Sequence, residues 1–250
     1  GRSGPLSKKN IVGIIAEYNP FHNGHLYHIN RSLETICADT LVVVLSSNFV
    51  QRGEPAFLDK WSRTDMALHS GADLVLELPA VFSCHNAGVF GSAAVDLMAM
   101  SGVVTHLSFG MEDPDAPLGT IARILVEEPA PFKKILREHL DRGSSYAEAR
   151  TEAMEFMLPG ARKILSSPNN ILAQEYVRRI VERGYPLEIS PIKRAGAGYH
   201  SGPSGPFAGA GWIRDTIRAK GITDSVEKLM PSHTLSSLKE EISQGRCVLS

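Results

Sequence analysis

The chain holds only three cysteines in 250 residues, Cys37, Cys84 and Cys247. Their odd number and the lack of any CxxC spacing argue against a disulfide framework and against a structural zinc site, and point to a reducing cytosol. Missing too is any run of the ~18–20 uninterrupted apolar residues that a bilayer span requires. No signal-peptide pattern precedes the first apolar run, so the sequence reads as cytoplasmic, with no membrane partner. Neither charge is in excess: 26 Lys and Arg against 27 Asp and Glu leave a net charge of −1. That balance removes a global electrostatic case for nucleic acid while leaving room for a local basic face. What is present is ordinary, 43% hydrophobic and 21% charged, the composition of a globular protein. Its length suits one main domain with a helical appendage and a core that folds without staples.

Beyond the short basic lead GRSGPLSKKN, set aside here, NIVGIIAEYNP is a continuous apolar run ended by a turn. ADTLVVVLSSN repeats it, and INRSLETIC lies between them at helical period. Such runs suit parallel strands buried on both faces. A third strand is predicted at Asp73 to Pro79, after the helix KWSRTDMALHSG, which Gly71 stops. A fourth is predicted at VVTHLSFGM and a last one at LEISPIKRAG. The alternation predicts an α/β fold, a Rossmann-like doubly wound parallel sheet, with sites where loops leave the carboxyl ends of the strands. Residues 116–158 turn helical and charged and read as a lid-like helical insertion. PNNILAQEYVRRIVERGYP adds an amphipathic helix, residues 196–211 form a Gly/Pro/Ser-rich loop built to move or to meet a ligand, and residues 219–250 read as a helical tail.

Three of the nine histidines, His22, His25 and His28, fall within GIIAEYNPFHNGHLYH, directly after the first strand. A helix opening near Gly24 to Leu26 puts its N-terminus beside the sheet's carboxyl edge, where free backbone N–H groups and the helix dipole make an anion site. Gly24 admits a close backbone approach, and His22 and His25 sit where imidazole N–H groups reach phosphate oxygens and stabilise charge on a phosphorus transition state. A metal site on the same histidines requires one continuous helix face, which Pro20 and Gly24 are expected to break before His25.

FHNGH has the HxGH form of the HIGH-motif nucleotidyltransferases, here in a strand-turn-helix context. With QRGEPAFLDKWSRTDMAL, GADLVLELP, FGMED, PNNILAQEY and AGAGYH, it resembles the bacterial tRNA(Met) cytidine acetate ligase family from about Ile11 to at least Arg218. The resemblance implies a HIGH nucleotidyltransferase catalytic domain over residues 11–218 that uses ATP, with Mg2+, and acetate. The product is acetyl-adenylate, from which acetyl passes to N4 of the wobble cytidine of elongator tRNA(Met). It also implies an ATP-binding stretch over Ile15, Ala16, Glu17, Tyr18, Asn19, Pro20, Phe21, His22, Asn23, Gly24, His25, Leu26, Tyr27 and His28, with further nucleotide contacts at Gly110, Asn169 and Arg194. His22, His25 and Lys60 are the catalytic candidates, Lys60 as a point charge for departing pyrophosphate. On the residues alone, Gly110 reads equally as a turn glycine and Asn169 as a helix N-cap. Gln51 and Arg52 are expected to border the cleft, Arg63 to lie on a solvated helix face and Trp61 to belong to the core.

The sequence departs from the superfamily at AGAGWIR, Ala208 to Arg214, where a hydroxyl-rich S-A-[ST]-x-I-R turn is expected. Arg214 is kept for the nucleotide, but Gly209 and Gly211 offer only backbone N–H groups to a phosphate. Family members are expected to continue past Ser250, so residues 219–250 read as the start of a C-terminal region. Two alternatives stand beside the ligase: a HIGH-superfamily adenylyltransferase acting on a phosphorylated small molecule, and a catalytically weakened nucleotide- or RNA-binding module.

Overall fold

Continuous apolar strands place β1 (Ile11–Ala16) in the middle of a five-stranded parallel sheet. Around it lie β2 (Thr40–Ser46), β3 (Leu74–Leu78), β4 (His106–Met111) and β5 (Glu188–Lys193), in the order β3-β2-β1-β4-β5. The computed structural model describes residues 9–196 and 202–248. Alternate residues feed opposite faces. Val12, Ile14, Leu41 and Val43 join one core with α1 (Asn23–Ile36) and α2 (Lys60–His69). Val42, Val44 and Leu107 join the other core with α4 (Ala87–Met100), which follows the short α3 (Ala80–Ser83). Gly13 is required by that second layer, because a Cβ there would sit 2.6 Å from Met98 Sδ and 2.8 Å from Val104 Cγ1. Pro191 sits in β5, an edge strand, where its missing N–H removes no ladder bond.

The expected helical insertion is α5 (Leu118–Glu127), α6 (Ala130–Asp141) and α7 (Tyr146–Met157), followed by α8 (Ala161–Ile164). It has a small core of its own around Phe132, Ala153 and Met154. It is fastened to α9 (Pro168–Arg183) at Glu175, whose side chain is 5% exposed and takes Arg150 at 2.9 Å and Arg178 at 2.7 Å. After β5 come α10 (Ala210–Lys220), α11 (Asp224–Glu227) and α12 (Ser232–Ser243). Val226, Leu229 and Leu238 pack into the same core as Val12 and Ile14, so the tail residues complete the first layer. Among the described residues no helix is long and apolar enough to cross a membrane.

Because α1 and α2 cover one face and α4 and α9 the other, the strand order reverses direction between β1 and β4. The crevice outside the carboxyl ends of these two strands is where an open α/β sheet binds ligands. Ala16 ends one strand there and Met111 the other.

Two expectations about α2 are corrected. The buried side of this helix is Arg63, Met66 and Ala67, and at 100° per residue Trp61 lies about 200° from Arg63. Trp61 is accordingly 72% exposed, not core, with the Lys60 ammonium 5.2 Å from its ring centroid. Arg63, expected on a solvated face, is 0% exposed. Its guanidinium donates to the carbonyls of Leu58 (3.0 Å) and Glu17 (2.7 Å), to Ser46 Oγ (3.2 Å) and to the Ser47 carbonyl. The Glu17, Ser46 and Ser47 acceptors sit where β1 and β2 end, so Arg63 ties the two strand exits together.

Candidate active site at the β1–β4 crevice

A cavity of about 630 Å³ opens at this crevice. It is lined from the HxGH stretch by Ile15, Ala16, Glu17, Tyr18, Asn19, His22, Gly24, His25, Tyr27 and His28, and from elsewhere by Gly110, Asn169, Arg194 and Arg214. The other four residues of the stretch, Pro20, Phe21, Asn23 and Leu26, do not line it. Phe21 is fully buried in the core, and Asn23 donates through Nδ2 to the carbonyls of Lys228 (2.9 Å) and Pro206 (3.1 Å). The chain turns at Tyr18, whose φ of +48° is unusual for a bulky residue, and at a cis Asn19–Pro20 peptide. The Tyr18 ring packs edge-on against Phe21 and lies 4.9 Å from the His25 ring, and its buried hydroxyl has no hydrogen-bond partner.

The start of α1 differs from the expected anion site. The helix begins at Asn23 and runs through Gly24, so only Pro20 lies outside it, and the first-turn N–H groups are already used. Asn23 N–H donates to Leu229 O at 2.8 Å, Gly24 N–H to His22 Nδ1 at 3.0 Å, and His25 N–H to His22 O at 2.9 Å. In return His25 Nδ1 accepts the His22 N–H at 3.3 Å, which makes a capping box from two histidines. With Nδ1 acting as acceptor in both rings, the hydrogen-bond pattern assigns the proton of each neutral imidazole to Nε2. The helix N-terminus therefore presents imidazole Nε2–H donors in place of free backbone N–H groups.

His28 is oriented by a hydroxyl chain. Its Nε2 lies 3.0 Å from Ser108 Oγ, Ser108 Oγ lies 2.7 Å from Ser32 Oγ, and Ser32 donates to the His28 carbonyl at 2.7 Å. Since the Ser32 proton is committed, Ser108 donates to Ser32 and His28 Nε2–H donates to Ser108. Burial, reinforced by the Arg194 charge, lowers the pKa of His22 to about 3 and that of His28 to about 4, and holds His25 well below the usual range. All three are neutral donors at pH 7.

Cationic groups come from the far walls. Arg194 follows β5, its N–H bonded to Met111 O at 2.9 Å, and its stem crosses Gly110 so closely that a Cβ there would stand 3.1 Å from Arg194 Cγ. A side chain at position 110 would push the Arg194 stem aside by a few tenths of an ångström, so the glycine favours this path of Arg194. Asn169 is not the N-cap of α9, a position held by Ser167; it lies in the first turn and its Nδ2 is 3.3 Å from Glu112 Oε1. Arg214 donates to Asn19 O at 2.7 Å.

The AGAGWIR element is folded so that Gly209 precedes α10, and Ala210 and Gly211 form its first turn at the cavity wall. Among the described residues no side chain caps that N-terminus, whose first-turn backbone N–H groups are of the kind that can donate to an anion, as those of α1 are not. Of the loop 196–211, residues 197–201, including His200, lie outside the described residues; Ser204 and Phe207 exchange backbone bonds at 2.7 and 3.2 Å.

Glu17 is a buried carboxyl within the cavity. Its Oε1 accepts the Gln51 N–H at 2.7 Å, while burial, opposed by that bond and by Arg63, Arg214 and Arg52, raises its pKa. Gln51 and Arg52 line the cavity as expected. Lys60 does not: its ammonium is held by both Glu77 carboxylate oxygens, at 2.7 and 2.8 Å. Sequence reasoning missed the apolar wall of Phe90, Phe109 and Tyr176, whose spacing in the chain carries no site signal because these residues also serve the core. It also missed Asp65, His69 and His233, which cluster away from the cavity and whose ligand atoms lie within 4.8 Å of one another.

Comparison with known proteins agrees with this fold. Residues 9–250 match the HIGH Nucleotidyl Transferase family. A tRNA(Met) cytidine acetate ligase of Syntrophomonas wolfei is 44% identical over 241 residues, 94% of this chain and 58% of that protein. One of Thermoanaerobacter sp. is 45% identical over 233 residues, 92% and 58% of the two chains. Crystal structures of Thermotoga maritima TmcAL, 39% identical, superpose with TM-scores of 0.90 (apo, 95% of this chain and 58% of that one) and 0.87 (bound with alpha-thio ATP, 95% and 57%). The chain spans less than two thirds of the length of these relatives. With an HxGH element seated at the switch point of a doubly wound sheet and the family match running from residue 9 to residue 250, the chain belongs to the HIGH nucleotidyl transferase family.

Proposed function

We propose that this chain carries the adenylate-forming site of an ATP-dependent tRNA(Met) cytidine acetate ligase, a cytoplasmic enzyme. In the first step an acetate oxygen attacks the α-phosphorus of ATP, the bond to the bridging oxygen breaks, and pyrophosphate leaves; Mg2+ carried by the nucleotide would offset its charge. In the second, N4 of the wobble cytidine of elongator tRNA(Met) attacks the acetyl carbon, AMP leaves, and the N4 proton passes to solvent. The relatives' shared name supports the acceptor and the acyl group.

The observation that carries the reading is the donor set around one cavity. The Nε2–H groups of His22 and His25, the Arg194 guanidinium and the uncapped start of α10 with Arg214 converge from three walls. Neutral imidazoles contribute hydrogen bonds to the α-phosphate as charge builds, at no cost of burying a cation. Asn169 and Gly110 are assigned to the nucleoside. Lys60, committed to Glu77 outside the cavity wall, is left out of the reacting set.

The test is pyrophosphate release from ATP with and without acetate. Acetate-dependent release, reduced roughly 10²–10³-fold in His25→Ala, is expected. ATP binding without release favours the weakened-module reading, which the absent hydroxyls at Gly209 and Gly211 also suggest. Release that requires a phosphorylated acceptor in place of acetate overturns the ligase reading.

A further inference from the structure

Away from the cavity, α2 meets α12 at three side chains with metal-ligand chemistry. Asp65 and His69 are one turn apart on α2, and His233 lies in the first turn of α12. His233 Nε2 is 2.7 Å from Asp65 Oδ2, and His69 Nδ1 is 3.2 Å from Asp65 Oδ1 and 3.0 Å from the Asp65 carbonyl oxygen. The two imidazoles stack with centroids 3.6 Å apart and planes at 19°. One ligand atom from each residue lies within 4.8 Å of the other two. Their side chains keep 39–54% exposure, so a cation reaches them directly from solvent. The cluster is not explained by the proposed chemistry, since none of the three lines the cavity.

We infer that Asp65, His69 and His233 form a site for a divalent cation of the zinc class that staples α12 to α2. Two imidazole nitrogens and one carboxylate oxygen are the borderline donor set that Zn2+ takes, with water completing a tetrahedron. Bonds of ~2.0–2.1 Å place tetrahedral ligands a little over 3 Å apart, a spread that these half-exposed side chains reach by small rotations. On binding, the ring nitrogen of each neutral imidazole that now faces Asp65 offers its lone pair to the metal, and its proton moves by exchange with solvent to the other ring nitrogen, so both rings stay neutral. The staple would fix the tail against the helix that carries Arg63, two residues before Asp65, and so brace the strand exits that Arg63 joins.

The experiment is calorimetric titration of Zn2+ into the whole chelator-treated chain, with Co2+ as a spectroscopic probe and thermal unfolding as a second readout. One equivalent is expected, with tetrahedral Co2+ absorption and a melting temperature roughly 5–10 °C higher at free zinc about 100 times its Kd. His69→Ala and His233→Ala should each weaken binding at least about tenfold and abolish the thermal shift, while His139→Ala, on α6, should change neither. Melting of the metal-free variants near the parent temperature shows that they fold. No binding by the parent chain, or equal binding by parent, His69→Ala and His233→Ala, would overturn the site and leave an aspartate that merely hydrogen-bonds two stacked imidazoles.

Discussion

Replacing Arg63 with Met should be among the most damaging single changes in this protein. The methionine fills much of the same volume but withdraws the donors that now satisfy the carbonyls of Leu58, Glu17 and Ser47 and the Ser46 hydroxyl. The arginine is fully buried, so water does not replace those donors without opening the core. A buried acceptor left unpaired costs about 1–3 kcal/mol, and some of that is recovered because the cost of burying the guanidinium also disappears. That cost is visible in the Arg63 pKa, which burial lowers to about 10. The balance predicts a loss of about 3–5 kcal/mol, or roughly 8–15 °C in melting temperature for a chain of this size. Glu17 also loses a cationic neighbour and the carbonyl tether of its own backbone, so nucleotide affinity should fall together with stability. Equilibrium urea unfolding at pH 7.5, with ATP titration at a temperature where the variant is folded, separates the two effects. A loss below about 1 kcal/mol would refute the reasoning, since it would mean that the strand exits hold without the guanidinium. Arg63→Lys should recover only part of the loss, because one ammonium does not span four acceptors set around a planar fork.

The histidine pKa values set a pH dependence of the same sense as that of paired carboxylates, in a window that opens higher, below pH 6.5. His22 and His28 titrate at about 3 and about 4 when folded, against about 6.5 unfolded. The unfolded chain therefore binds more protons between these values, and stability is complete above pH 6.5 and falls as the pH drops below it. At pH 5 each should cost about 2 kcal/mol, and unfolding curves of parent and His28→Asn over pH 5–8 should converge toward the acid end; a flat parent profile would show that these rings are solvated. Gly110→Ala should leave melting within about 1 kcal/mol, since the Arg194 stem can shift by a few tenths of an ångström, yet weaken ATP binding severalfold. The same change should add nothing in an Arg194→Ala background, and full additivity in that double-mutant cycle would separate the two residues. Gly13→Ala, by contrast, meets Met98 Sδ at 2.6 Å and should cost about 1–3 kcal/mol by chemical denaturation. Lys60→Met should change acetate-dependent pyrophosphate release by less than about threefold, as its ammonium is spent on Glu77; a loss of a hundredfold would restore Lys60 to the reacting set.

Much of this protein was determined by its sequence alone. Continuous apolar runs such as TLVVVLS are long enough to be buried on both faces and so specify a parallel sheet. The punctuation by Asn19-Pro20 and Gly71 placed turns, and the HxGH pattern after the first strand located the crevice, because local periodicity and turn chemistry act over a few residues. Other features depend on contacts far apart in the chain. Whether the first-turn N–H groups of α1 are free was decided by Leu229, more than two hundred residues later, and by a reciprocal bond between two histidines whose rotamers no spacing reveals. Arg63 and Trp61 lie two residues apart, and residue type alone assigns the arginine to a solvated face and the tryptophan to the core, the reverse of the structure. The tertiary structure alone decided which was buried, by placing three otherwise unpaired carbonyls where a guanidinium reached them. The same holds for Gly110, whose small size serves an arginine from the neighbouring strand, and for Asp65, His69 and His233, which only the docking of α12 on α2 brings together.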